Sequence, residues 1–134
     1  MNVFGIGTEI IECVRIAKMI ERHGELFLER VYTVDEVDFC NRHAFSIQQY
    51  AARWAAKEAT VKAIRGRSQG IRWNQIELNH DAVQGPWVKL NGRADQWATK
   101  NGIERIQISF GSCRTHATAF AIAIAASPPH SSDG

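Results

Sequence analysis

The amino-acid sequence predicts an α+β fold, and three features of the chain lead to this prediction. Helical patterns are grouped in the first half of the 134 residues and strand patterns in the second half, an order typical of α+β proteins. The strongest helical segment, residues 46 to about 64, is rich in alanine, arginine, lysine and glutamate, which are good helix formers. Apolar residues make up 45% of the chain, so we expect one packed core within a single domain over residues 1–126.

The first half of the chain contains one predicted strand followed by helices. Its apolar, glycine-punctuated start is typical of a short buried strand that leads into a tight turn. Thr33 and Glu36 have the spacing of a capping box, as do Ser46 and Gln49, so we expect a helix to begin at each pair. In chain order the predicted elements are a strand over 3–7, a helix over 11–22, a short helical piece over 27–31, a helix from 33 to about 42, and the long helix from 46.

The second half contains four predicted strands and one helix. A turn at residues 84–86 separates the first two strands, and Asn101-Gly102 ends the helix. The last eight residues are mostly polar and contain two prolines, so we predict a disordered tail over 127–134. In chain order the predicted elements are strands over 73–79 and 87–90, a helix over 92–100, and strands over 105–110 and 115–125.

Composition and charge argue against several classes of function. The net charge is only +2 and the basic residues are scattered, whereas a nucleic-acid-binding protein shows a concentrated basic surface. The three cysteines lack metal-ligand or redox spacing, which is typical of reduced thiols in a cytosolic protein. No signal-peptide pattern is present, and the longest apolar run, 117–126, is too short to cross a bilayer. We expect a cytoplasmic protein with no nucleic-acid partner and no membrane contact.

Glu9 is the first candidate functional residue, because it closely follows Gly5 and Gly7. The glycines permit a sharp turn at the end of a strand, and a carboxylate beyond that turn would lie at the edge of the sheet. The alternative is an ordinary strand-to-helix turn, in which Glu9 lies near a helix N-terminus and is mildly stabilised there. This short pattern does not decide between the two interpretations.

Glu58 and Lys62 form the second candidate site, on the long helix. They are four residues apart and share one helix face, so the simplest interpretation is a surface ion pair that contributes about 0.2–0.5 kcal/mol. Two features favour a metal-bridged phosphate site instead. Small alanines surround the pair and let a ligand approach, and Arg53 and an arginine-glycine loop lie nearby in the chain. Magnesium binds phosphates through one or two carboxylates and waters, while lysine and arginine neutralise the remaining charge.

The two segments together resemble the holo-acyl-carrier-protein synthases, within the 4′-phosphopantetheinyl transferases. Members typically begin with Gly-x-Gly-Thr-Asp and Ile-x-Glu-x-x-Arg-Ile, and this chain has Gly5-Ile6-Gly7-Thr8-Glu9 followed by IIECVRI. Their second motif, Arg-Phe-Ala-x-Lys-Glu-Ala-x-x-Lys-Ala, corresponds to residues 53–63. The motifs occur in the same order at a matching separation, and the resemblance covers residues 3 to about 125.

The resemblance implies a fold, an activity and an assembly. The fold has a long central helix packed on a mostly antiparallel sheet. The activity is the Mg²⁺-dependent transfer of 4′-phosphopantetheine from the co-substrate coenzyme A to a serine of apo-acyl carrier protein, with release of adenosine 3′,5′-bisphosphate. The assembly is a homotrimer whose active sites lie between neighbouring subunits.

Matching residue by residue to the family motifs assigns an expected role to each candidate. Glu9 and Glu58 are the expected Mg²⁺ ligands, and Glu58 and Lys62 the expected catalytic residues. The residues expected to bind coenzyme A are Arg53, Lys62 and Gly66. The residues expected to bind the acidic carrier protein are basic residues of the first predicted helix, namely Arg15, Lys18 and Arg22.

Two departures from the family pattern support an alternative, a non-catalytic relative that binds coenzyme A or a carrier protein. Glu9 stands where members normally have aspartate, and its extra methylene adds roughly 1.5 Å of reach at a site where Mg²⁺ tolerates little geometric error. Ser112 stands where many members have histidine, and a serine does not act as a base near neutral pH unless it is activated. The alternative predicts binding without turnover.

Overall fold

The computed structural model describes residues 1–126, so the predicted tail over 127–134 lies outside the described residues. A 3₁₀ turn, Trp73–Gln75, precedes the second strand. The strands are β1 (Asn2–Glu12), β2 (Ile76–Asp81), β3 (Gly85–Leu90), β4 (Ile103–Ser112) and β5 (His116–Ala125). The helices are α1 (Cys13–His23), α2 (Glu25–Val31), α3 (Val34–Arg42), α4 (Ser46–Ala63) and α5 (Gly92–Lys100).

Two antiparallel sheets and a long helix confirm the predicted α+β class. β5 is the central strand of a three-stranded sheet with the order β1-β5-β4, while β2 and β3 form a separate hairpin. α4 lies across the three-stranded sheet and contacts each of its strands. The expected arrangement of a long central helix on a mostly antiparallel sheet is therefore confirmed.

Alanine side chains form much of the contact between α4 and the sheet. Side chains alternate between the two faces of a strand, and the buried face of β5 carries an alanine at every second position from Ala117 to Ala123. Because both surfaces are built from small side chains, the helix can lie close to the sheet. The buried alanines of α4 are Ala51, Ala52, Ala55, Ala56, Ala59 and Ala63.

β1 is much longer than predicted, and no turn follows Gly7. The predicted turn is wrong because β1 pairs with β5 along its whole length, from Asn2 opposite Ala125 to Glu12 opposite His116. The first helix consequently begins at residue 13 and not at residue 11.

The glycines of β1 allow a close approach between backbones. A Cβ atom on Gly5 would lie 2.1 Å from the carbonyl oxygen of Ala63, and one on Gly7 would lie 1.9 Å from that of Ala59. No side chain fits into such a space. Two glycines spaced two apart on the strand thus face two alanines spaced four apart on the helix, and this match fixes how β1 lies on α4.

Local signals in the sequence predicted some helix starts and missed others. The capping box at α3 is confirmed, since Thr33 Oγ1 accepts from the Glu36 N–H at 3.2 Å and Glu36 Oε1 accepts from the Thr33 N–H at 2.9 Å. The second capping box is wrong. Ser46 is already the first helical residue of α4 and Phe45 is the N-cap, so the serine hydroxyl stands one position too late to cap the helix.

Most of the buried apolar residues within 1–126 form one cluster, to which α4 contributes more members than any other element. Cys40 and Tyr50 belong to this cluster, and burial raises the pKa of both side chains to about 12. Over the same residues, no helix combines the length and the hydropathy needed to cross a membrane.

Candidate active site

A cleft of about 590 Å³ lies between α1, β1 and α4. Its charged lining consists of two carboxylates, one from β1 and one from α4, and three cations from α1. The structure therefore brings together the predicted metal ligands and the predicted carrier-binding residues, which are far apart in the chain. The charged residues that line the cleft are Glu9, Glu58, Arg15, Lys18 and Arg22.

Glu9 reaches the cleft because it lies on the same face of β1 as Gly5 and Gly7, the face toward α4. Its Oε2 atom lies 3.4 Å from Nζ of Lys62. Both sequence interpretations of its local structure are wrong, because Glu9 lies within a strand and follows neither a turn nor a helix start. Glu9 thus does not lie beyond the end of a strand, as predicted, but within β1, an outer strand of the three-stranded sheet.

Lys62 contacts β1 and not the carboxylate four residues before it. Its ammonium group donates to the carbonyl oxygen of Thr8 at 2.9 Å and forms the ion pair with Glu9. Among the described residues no ion pair joins Lys62 to Glu58, so the interpretation as a surface pair along one helix is wrong. Lys62 instead places a positive charge beside the carboxylate of the neighbouring strand.

Glu58 is largely enclosed, with only 14% of its side chain exposed. Its Oε1 atom accepts a hydrogen bond from Nε1 of Trp73 at 2.5 Å. Its Oε2 atom lies 3.5 Å from a guanidinium nitrogen of the exposed Arg67. The sequence does not single out Trp73, because nothing in the local pattern distinguishes an indole that donates to a carboxylate from one that only packs.

The donor set of the cleft fits Mg²⁺. Within residues 1–126 no group of three or more histidine, cysteine, aspartate or glutamate side chains could enclose a metal ion. Mg²⁺ does not require such a group, because proteins usually hold it through one or two carboxylates together with waters and substrate phosphates. Glu9 and Glu58, which line one cleft from two elements, match that requirement.

The three cations of α1 share one face of the helix. Arg15, Lys18 and Arg22 are spaced by three and four residues, and such positions are neighbours on a helix surface. α1 packs inward through the buried Cys13 and Ile16. α1 thus presents a row of positive charge along the cleft that contains the two carboxylates.

Arg53 lies outside this cleft, in a second cavity of about 250 Å³ between α3, α4 and β2. It is 3% exposed, and its guanidinium carbon lies 4.2 Å from the centre of the Phe39 ring. One terminal nitrogen donates to Gln49 Oε1 at 3.1 Å. The structure separates this predicted coenzyme-binding residue from Glu58 although both belong to α4.

Gly66 also lies outside the lining of the cleft, just beyond the end of α4. Its N–H donates to the carbonyl oxygen of Val61 at 2.9 Å, which closes the last turn of the helix. A Cβ atom at Gly66 would lie 2.6 Å from Cδ1 of Ile71, so a larger residue there would have to displace the end of that side chain. The observed contacts of Gly66 are those of a helix terminus.

The comparisons with known proteins agree with this fold. A family model described as the 4′-phosphopantetheinyl transferase superfamily matches residues 5–125. The chain belongs to this superfamily. Among its curated relatives, the holo-[acyl-carrier-protein] synthase of Rhodopirellula baltica is 42% identical over 122 residues, which cover 91% of this chain and 98% of the relative.

Solved structures of phosphopantetheinyl transferases share the architecture. The holo-[acyl-carrier-protein] synthase of Neisseria meningitidis matches with a TM-score of 0.81 and 29% identity, over 92% of this chain and 99% of the other. The holo-(acyl-carrier-protein) synthase of Bacillus anthracis in complex with CoA (3′,5′-ADP) matches with a TM-score of 0.74 and 25% identity, over 92% and 98%. The expected phosphopantetheinyl transferase fold is therefore confirmed.

In this phosphopantetheinyl transferase, the position where many members have histidine lies away from the cleft. Ser112 is the exposed last residue of β4 and stands opposite Ala117. His116, the first residue of β5, is exposed, and its Nδ1 lies 2.9 Å from Thr115 Oγ1. Neither residue lines the cleft, so the serine leaves the set of carboxylates and cations intact.

Proposed function

We propose that this chain is a holo-acyl-carrier-protein synthase, which transfers 4′-phosphopantetheine from coenzyme A to a serine of apo-acyl carrier protein. The observation that carries the proposal is the single cleft in which Glu9 and Glu58 face the cations of α1. Phosphoryl transfer depends mainly on positioning and on electrostatic stabilisation, which such a set of charges provides. The R. baltica relative is named for this activity, and the B. anthracis structure is a complex with CoA (3′,5′-ADP).

The two carboxylates of the cleft and the adjacent Lys62, which pairs with Glu9 but does not itself line the cleft, divide the work of the reaction. Glu9 and Glu58 would hold Mg²⁺ from two elements, and the metal would neutralise oxygens of the coenzyme A pyrophosphate. Lys62, held by Thr8 and Glu9, would offset the charge that develops there. The serine oxygen forms the new bond to phosphorus, and adenosine 3′,5′-bisphosphate leaves with the electron pair of the broken bond. A carboxylate or a bound water would accept the serine proton.

The cations of α1 would receive the carrier protein. An acidic partner is attracted to a row of positive charge, which steers association and fixes the orientation of the complex. Arg15, Lys18 and Arg22 lie in the same cleft as the carboxylates, so a carrier bound there brings its serine next to the proposed metal site. Arg53 and Gly66 remain predictions as nucleotide-binding residues, because their observed contacts are with the protein itself.

The outer face of the three-stranded sheet supports a homotrimer. Ile6 is 56% exposed, Ile10 66% and Phe120 42%, and all three lie on the face opposite α4. Exposed apolar side chains in contiguous positions mark an interaction surface. The number of subunits, three, comes from the family resemblance.

A cytoplasmic location belongs to the same proposal and is supported by three free cysteines, which suit a reducing compartment.

Intact-mass spectrometry of apo-acyl carrier protein tests the proposed activity. Incubation with this protein, coenzyme A and Mg²⁺ is expected to add the mass of one phosphopantetheine. The gain should disappear with EDTA, which removes the metal ion, and with Glu58→Ala, which removes one of its proposed ligands. Glu104→Ala, which removes an exposed carboxylate of β4, is the matched control and should retain the gain.

The same experiment distinguishes the alternative, a non-catalytic relative. Measurable binding of coenzyme A without any mass gain across several carrier proteins would contradict the proposed transferase. Glu9 would then be the first residue to replace, because it departs from the family pattern inside the cleft, whereas Ser112 lies outside it.

A further inference from the structure

Trp73 makes a contact with the cleft that the proposed mechanism does not use. Its indole N–H donates to Oε1 of Glu58, and this carboxylate is one of the two that line the cleft. We propose that Trp73 is a positioning residue, which orients the Glu58 carboxylate for the divalent cation. The inference rests on the proposed function, because it assumes that Glu58 is a ligand of that cation.

Trp73 is itself held to α4 through its backbone. The ammonium group of Lys57, the residue next to Glu58, donates to the carbonyl oxygen of Trp73 at 3.1 Å. Lys57 is fully buried and forms an ion pair with the buried Glu36 at 2.7 Å. Two consecutive residues of α4 therefore form hydrogen bonds with the same tryptophan, Lys57 with its carbonyl group and Glu58 with its ring N–H.

The ring of Trp73 is also held by packing. Its centroid lies 5.3 Å from that of Trp54, which lines the cleft, and Trp54 stacks on Phe27 at 5.3 Å with an interplanar angle of 14°. A ring that packs at a tilt of 33° against Trp54, in a residue whose backbone is held by a buried ammonium group, has little freedom to turn. The N–H donor of Trp73 is therefore preorganised before a metal or substrate binds.

The indole N–H of Trp73 determines which oxygen of Glu58 is hydrogen-bonded within the protein. Oε1 is taken by the indole, and Oε2 has only the longer contact of 3.5 Å with the exposed Arg67 among the described residues. The terminal torsion of a glutamate is broad, so an unheld carboxylate samples many orientations. Hydrogen bonds to a ligating carboxylate fix its orientation, and their loss typically weakens metal affinity about 10- to 100-fold.

The test replaces the indole by a ring without the donor. Trp73→Phe keeps an aromatic ring beside Trp54 but removes the N–H group. We expect Mn²⁺, measured by its electron paramagnetic resonance signal, to bind about tenfold more weakly. The half-saturating Mg²⁺ concentration of the transfer reaction should rise by a similar factor, while KM for the carrier protein changes little. Trp87→Phe, on the separate β2–β3 hairpin, is the matched control and should bind Mn²⁺ like the wild type.

A second substitution separates the donor from the packing. Incorporating 3-benzothienylalanine at position 73 preserves the shape of the tryptophan ring and removes only the N–H group, so the same tenfold loss is expected without a loss of stability. Wild-type Mn²⁺ affinity in the variant with 3-benzothienylalanine at position 73 would overturn the inference. If Glu58→Ala weakens Mn²⁺ binding while both changes at position 73 do not, the proposed metal site stands and the role of Trp73 fails. Unchanged binding in Glu58→Ala overturns both.

Discussion

Glu9 and Lys62 are joined by an ion pair at 3.4 Å, although 53 positions separate them in the chain. Lys62 has a potential partner much closer in sequence, Glu58 on the same helix. The pair across two elements forms because Gly7 brings β1 against the helix turn that carries Lys62, whose Cβ atom lies 2.9 Å from where a Cβ on Gly7 would be. At the scale of single residues, the charge distribution of the cleft thus depends on an uncharged neighbour.

Cys113 offers a prediction at the residue scale. The Thr115 side chain, 3.5 Å from its sulfur, and backbone hydrogen bonds lower the pKa of this exposed thiol to about 7. Only the thiolate reacts with iodoacetamide, so the rate of modification should rise with pH to a midpoint near pH 7. Burial raises the pKa of Cys40 to about 12, and that thiol should stay unmodified over the same range. Peptide mass mapping after timed modification measures both.

Thr115→Val is the informative variant for this prediction, since it keeps the side-chain shape and removes the hydroxyl. The midpoint for Cys113 should move upward, toward the value of an ordinary thiol at about 8.5. Unchanged reactivity in Thr115→Val would show that the hydroxyl does not stabilise the thiolate. The transfer activity should be the same in both proteins, because neither residue lines the cleft.

At the scale of elements, the packing of β1 on α4 positions both carboxylates of the cleft. Small residues on the two elements let their backbones come within van der Waals contact, and this fixes the register between Glu9 on the strand and Lys62 on the helix. A larger side chain at the contact would separate the elements. Such a change would affect the fold and the site together, because they share this contact.

Gly7→Ala tests the strand–helix contact. Its Cβ atom would lie 1.9 Å from the carbonyl oxygen of Ala59, so we expect the free energy of unfolding to fall by about 3 kcal/mol. The matched control is Gly111→Ala in β4, where nothing lies within 4 Å of the added atom and a change within about 0.5 kcal/mol is expected. Urea unfolding followed by circular dichroism measures both. Equal stability of the two variants would contradict the role assigned to Gly7.

At the scale of the whole molecule, the three-stranded sheet has two unlike faces. The face toward α4 is covered by that helix, while the outer face exposes Ile6, Ile10 and Phe120. Apolar side chains on an uncovered sheet face are costly to leave in water, at roughly 25 cal/mol for each Å². Association of copies through this face would remove that exposure and is the physical basis of the proposed trimer.

Phe120→Glu tests the proposed assembly. Size-exclusion chromatography with light scattering should give the mass of a trimer for the wild type and a smaller species for the variant, because a charge on the outer face opposes its burial. Trp87→Glu changes an exposed aromatic residue on the separate β2–β3 hairpin and should leave the trimer intact. A wild-type protein that elutes as a monomer with full transfer activity would contradict the trimer.

Several features of this protein follow from the sequence through short-range rules. Alanine-rich composition predicted α4, and the spacing of Thr33 and Glu36 predicted the start of α3; both are confirmed. The ordered pair of motifs identified the superfamily, and the family match over residues 5–125 confirms it. These predictions hold because helix propensity, capping and motif order are properties of neighbouring residues. The turn predicted from the glycines of β1 is wrong, since glycine also permits close contacts between elements.

Only the tertiary structure decided which charged groups meet. Lys62 pairs with Glu9 and not with Glu58, Trp73 donates to Glu58, and Arg53 lies in a different cavity from the carboxylates. No local pattern determines these partners, because they depend on how β1, α4 and the 3₁₀ turn at residue 73 lie against one another. The sequence by itself determined the family and the residue types of the site; packing between distant segments determined their arrangement.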